Sequence, residues 1–136
     1  MRIENARLNH FRVWRALGWL MVTAIVVVTL IPPPDRIPTF AYSDKLAHFS
    51  AYGLLMLWFA QLYATRQARM WHAALFVAMG IALEFCQGAL GYRSFEYADM
   101  LANALGVFGG GILAATGGFN FLPRLDRALA SSRARS

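Results

Sequence analysis

Nine side chains in this sequence have types and spacings that could do chemistry: Asp44, Lys45, His48, Tyr52, Glu84, Gln87, Arg93, Asp99 and Asn103. Asp44 and His48 are four residues apart, so they share a face if a helix begins before them, and Tyr52 continues that face one turn on. Glu84 and Gln87 are three apart, and Asp99 and Asn103 four apart. A histidine or an apolar-buried carboxylate can move protons, so His48, Glu84 and Asp99 are the catalytic candidates, with Asp99 expected to orient the imidazole. Lys45 and Arg93 could contact phosphate or carboxylate, or stabilise developing negative charge, while Gln87 and Asn103 fix orientation. No nucleophile elbow around serine and no phosphatase-like signature accompanies them. No cofactor or metal is expected, because His48, Glu84 and Asp99 would have to meet within about 2.2 Å of one ion. The single cysteine, Cys86, excludes an internal disulfide and a thiolate cluster, and reads as a small packing residue.

These residues must be positioned by apolar helices. The 136-residue chain is 58% hydrophobic and only 15% charged, where a soluble domain is about 25% charged. A bilayer core needs about 20 mostly apolar residues in a helix. Four segments qualify, at about 13–31, 46–65, 70–90 and 100–122, giving an all-α integral membrane four-helix bundle as one domain over residues 1–123. The first segment ends in Pro32-Pro33-Pro34 rather than a small-residue cleavage site, so it reads as a span and not a signal peptide. Residues 124–136, rich in Ser, Ala and Arg, are expected to form a basic cytoplasmic tail, disordered or lying on the inner leaflet.

Arginine placement sets the orientation. Ten of the thirteen basic residues fall before or at the very start of the first segment, between the second and third, or after the fourth. Both termini are therefore expected on the cytoplasmic side, with the loops at 32–45 and 91–99 facing outward. The net charge of +6 is read as this topology, and no nucleic-acid partner is expected. Trp14, Trp19 and Trp71 suit interfacial or lipid-facing positions, and His10 and His72 are assigned no role. Glu84 lies roughly 9 Å below the outer boundary, counting back from Leu90. The polar sets of three helices thus fall at one depth, as a binding site requires, and as a hydrogen-bonded clasp between helices also requires. Gly106 and Gly110 continue the face of Asp99 and Asn103, a spacing that permits close packing within the chain or against a second copy, so oligomeric state is left open.

The run Asp44-Lys45-Leu46-Ala47-His48-Phe49-Ser50-Ala51-Tyr52-Gly53-Leu54 resembles the first motif of VanZ-like membrane proteins. Glu84, Gln87, Arg93, Asp99, Asn103 and Gly106 follow in the family's order, so the resemblance covers about residues 30–115. It implies a small multi-pass protein of the cell envelope, set in the cytoplasmic (inner) membrane of a bacterium. The family takes its name from a protein linked to low-level teicoplanin resistance, a glycopeptide, and its mechanism is not established.

Three functions compete. A binding protein would hold a lipid headgroup, a lipid-linked precursor or an amphiphilic compound in an outward polar pocket, with Asp44, Lys45, His48, Tyr52, Glu84, Gln87, Arg93, Asp99 and Asn103 as binding residues and membrane lipids as partners. An outer-leaflet hydrolase or transferase on a lipid-linked substrate would use the catalytic candidates. Proton-coupled transport through Glu84 ranks last, since the inner half of the bundle offers no polar relay.

Overall fold

The computed structural model describes residues 8–32, 43–91, 95–117 and 119–133. They form five helices and no strand: α1 (Phe11–Leu30), α2 (Ser43–Leu62), α3 (Arg66–Leu90), α4 (Tyr97–Ala115) and α5 (Phe121–Arg133). Three of them, α1, α3 and α4, are long and apolar enough to cross a membrane. Large apolar side chains remain exposed along them, among them Leu20, Val28, Phe85, Leu105, Phe108 and Ile112. Contiguous exposed apolar surface on this scale marks an apolar environment or a partner.

The second helix differs, and the reason is its place. It packs against all four others. Leu55, Phe59 and Leu62 are fully enclosed, and Tyr52, Met56, Leu57 and Ala60 are buried beside them. Its polar residues Asp44, Lys45 and His48 crowd its first two turns, and Gln61 is buried near its end. Phe59 fills the centre, edge-on to Phe76 of α3 and to Trp19 of α1. Gly18 of α1 faces this ring so closely that a Cβ there would stand 2.9 Å from it.

The tightest seam joins α2 to α4. A Cβ on Gly106 would collide with the Phe49 carbonyl oxygen, and one on Gly110 with that of Gly53. Backbones this close need glycine on one side of the seam. The glycine face of α4 is therefore buried within the chain, against α2.

Helix boundaries follow local chemistry. The Thr65 hydroxyl accepts from the Ala68 amide at 3.2 Å and caps α3, which ends at Gly91 with φ of 76°. The expected fourth segment, 100–122, stops instead at Ala115. Thr116 leads into Gly117, whose φ of 71° takes the chain out of the helix.

The expectation of a disordered tail is also corrected, because residues 121–133 form α5. Pro123 sits in its first turn, where no helical amide is lost. The Gln61 side chain of α2 accepts from the Leu122 amide at 3.0 Å, satisfying one of the free donors at the helix start. Cys86, read as a packing residue, is exposed on α3.

Candidate polar site at one end of the bundle

The start of α2, the end of α3 and the start of α4 meet at one end of the bundle. Lys45, in the first turn of α2, donates to Glu96 Oε2 at 2.6 Å and to Asp99 Oδ1 at 3.1 Å. Glu96 precedes α4 and Asp99 lies in its first turn, where negative charge also complements the helix dipole. One turn along α2, His48 Nδ1 lies 3.0 Å from Asn103 Oδ1. The other ring nitrogen, Nε2, faces Asp44 Oδ2 at 3.8 Å and Asp99 Oδ2 at 3.9 Å. Asp99 was expected to orient the imidazole; Asn103 does so instead, because it is the side chain of α4 level with the ring and is packed against Gly80 of α3.

Glu84 is 1% exposed, deep in α3. Its Oε1 accepts the Glu96 backbone amide at 2.7 Å, so it reaches the cluster through main chain rather than through His48. Its Oε2 is buried with no hydrogen-bond partner. Gln87 turns the other way and donates to the Thr29 carbonyl of α1 at 3.1 Å, tying α3 to α1. Arg93 lies outside the described residues.

Beside the clasp, between α1 and α2, is a cavity of about 290 Å³. Its walls are Ala24, Ile25, Val28, Thr29, Ala47 and Ala51, and it ends on Asp44, His48 and Tyr52. Glu84, Asp99 and Asn103 do not line it. The expected convergence of the polar groups thus divides in two. Lys45, Glu84, Asp99 and Asn103 form a hydrogen-bonded clasp across α2, α3 and α4, while Asp44, His48 and Tyr52 look into a void.

Glu96 and Thr29 take part in these polar contacts without having been marked in the sequence. Glu96 stands three residues before Asp99, and an acidic residue at a helix start was the available signal. Thr29 contributes its carbonyl, which no sequence pattern marks.

A second polar cluster lies at the opposite end. Asp126 of α5 is 1% exposed and receives the backbone amides of Asn9 (2.6 Å) and His10 (2.9 Å), the Asn9 side-chain amide (2.9 Å) and the Trp14 indole (2.8 Å). His10 Nδ1 lies 2.9 Å from the same carboxylate. Burial works against its ionisation, but the Trp14 indole and the Asn9 and His10 amides outweigh that and hold the carboxyl well below the usual range. Trp14 is therefore buried and bonded rather than lipid-facing, whereas Trp19 and Trp71 are exposed. His10 joins the Asp126 cluster, and His72 stacks on Tyr63 beside Phe59.

No family model matches the chain, and no solved structure matches it. Over 100 residues, 71% of its length, it is 27% identical to an uncharacterized protein of the fission yeast Schizosaccharomyces pombe. The chain spans 61% of the length of that relative. The relative is eukaryotic, which corrects the expected setting: it points away from the inner membrane of a bacterium.

Proposed function

We propose that this chain is a VanZ-like membrane protein in which all four helices α1–α4 cross the bilayer, and that the cleft between α1 and α2 binds an amphiphile. Of the motif residues, Asp44, Lys45, His48, Glu84, Asp99 and Asn103 support the family reading, because they gather at one end of the bundle as a shared signature requires. The fourth crossing is α2, whose 20 residues match a bilayer core and whose polar groups, apart from the buried Gln61, gather in its first turns near the end of the bundle. The ends of the bundle support the orientation. Arg12, Arg15, Arg66, Arg69, Arg124 and Arg127 cluster at the end where α1 and α3 begin, which supports a cytoplasmic setting for both termini.

The observation that carries the binding reading is the cavity wall: six residues with small or apolar side chains or a single hydroxyl, then a polar end at Asp44, His48 and Tyr52. At about 290 Å³ it stands at the lower end of ligand pockets, which are roughly 300–1,000 Å³. That suits one acyl segment with its headgroup at the polar end. A larger hollow of about 740 Å³ runs past Arg66, Met70 and Trp71, but it is walled by α3 alone and meets no polar cluster. Lys45 is engaged by Glu96 and Asp99, so the headgroup contacts fall to Asp44, His48 and the Tyr52 hydroxyl.

The test fills the cleft. Ala51→Trp should remove most of the lipid or lipid-linked compound that copurifies with the wild type, seen by native mass spectrometry, while Ala82→Trp on another helix should not. A wild-type chain that carries no amphiphile, or an Ala51→Trp chain that keeps it, sinks the reading.

A further inference from the structure

We propose that Asp44, His48 and Asp99 bind one divalent transition-metal cation, zinc or manganese by the chemistry of the donors. One atom from each of the three, His48 Nε2 and a carboxylate oxygen from each aspartate, lie within 4.8 Å of one another. This goes beyond the amphiphile reading and does not depend on it.

The first support is the protonation pattern of the ring. Asn103 Oδ1 is an amide oxygen and only accepts, so the 3.0 Å contact requires the hydrogen on His48 Nδ1. In the neutral ring Nε2 then presents a lone pair, and it presents it to two carboxylates. Imidazole ligands of metals are held this way, one nitrogen donating to a fixed acceptor and the other on the ion. Asn103 is held in turn by Gly80, where a Cβ would stand only 3.0 Å from the Asn103 amide nitrogen.

The second support is spacing. At 3.8 and 3.9 Å the Nε2–carboxylate separations are too long for hydrogen bonds, which end at about 3.2 Å. Ligand atoms on one ion, each about 2.0–2.2 Å from it, lie about 3.0–3.6 Å apart. The two Nε2–carboxylate pairs need to close by only a few tenths of an ångström on a cation, and the two carboxylate oxygens, within 4.8 Å of each other, by about 1 Å at most. Lys45 holds Asp99 Oδ1, which leaves Oδ2 as the single ligating oxygen.

Charge and access agree. Two carboxylates and a neutral imidazole balance a divalent ion, and Lys45 has Glu96 as a further counter-charge. The Asp44 side chain is 50% exposed, which gives the ion a way in. The cavity ends on Asp44 and His48, so water or a ligand oxygen has room to complete the coordination. Imidazole with two oxygens favours zinc or manganese over calcium or magnesium, which prefer all-oxygen shells.

The sequence trio His48, Glu84 and Asp99 is thus replaced by Asp44, His48 and Asp99. Glu84 faces the Glu96 amide, and the helix-spaced Asp44 takes its place.

The experiment uses the full chain in detergent, stripped with chelator and titrated with zinc or manganese alone, with no lipid added. Elemental analysis should find one zinc per chain, and manganese should give a bound electron-paramagnetic-resonance signal. Asp44→Asn, at a half-exposed position, and His48→Gln should each weaken binding by at least about tenfold, and Asp126→Asn should not. Should His48→Gln fail to fold, Asp44→Asn decides. Failure to bind zinc or manganese at tens of micromolar, or binding unchanged in Asp44→Asn, overturns the proposal.

Discussion

Asp126 concentrates more hydrogen bonds than any group in the cluster around Lys45 and His48, and it sits where the sequence shows only a basic tail. Removing it strands the Trp14 indole and the Asn9 and His10 amides, donors that cost about 1–3 kcal/mol each when buried unpaired. Asp126→Ala should therefore lower stability in detergent by about 3 kcal/mol or more, read as a fall in thermal midpoint, and Asp126→Asn by less. Its carboxyl is held below its ordinary value, so its contribution is complete above about pH 4 and is lost as the pH falls further toward the folded-state value. The wild type should lose stability with acid below about pH 4, with a slope that Asp126→Asn reduces. At this scale the sequence was legible where two polar residues share a helix face, as with Asp44 and His48 or Asp99 and Asn103. It was silent on Asp126, because its partners Asn9, His10 and Trp14 lie more than a hundred residues away and two of the bonds come from backbone amides.

Between elements, the α2–α4 seam decides how the cluster around His48 and Asp99 is assembled. Phe49 and Gly53 of α2 lie on Gly106 and Gly110 of α4, one and two turns below the His48–Asn103 contact. Gly110→Ala should push the backbones apart and cost about 2–3 kcal/mol, and it should also loosen His48 from Asn103. Gly111→Ala, whose Cβ would meet only Met56 at 3.9 Å, should be close to neutral. Comparing thermal midpoints of the two variants checks this. The first three helices were legible to within a few residues from apolar run length. The end of α4 was not, because Ala114, Ala115 and Phe119 continue the apolar composition while Gly117 changes the backbone. Helix α5 was not legible either: its Ser, Ala and Arg content matches a disordered segment, and its stability comes from contacts with α1 and α2.

Across the whole molecule the two ends differ in charge. Six described arginines lie at the end where α1 begins, and the acidic residues Asp44, Glu84, Glu96 and Asp99 lie toward the other. With Cys86→Ser as background, single cysteines at Ser43 and Ser132 should be labelled by a membrane-impermeant maleimide from opposite sides of sealed vesicles. Labelling of both from one side contradicts the four-crossing arrangement. The contact between Asp126 and Asn9, 117 residues apart, has a bearing on biogenesis. A ribosome must reach residue 126 before α1 receives this partner. Until then the Trp14 indole and the amides of Asn9 and His10 have no carboxylate to meet. Synthesis of α5 is thus coupled to locking of the first helix, so a chain truncated before residue 126 should be exposed to quality-control proteolysis at its amino-terminal end.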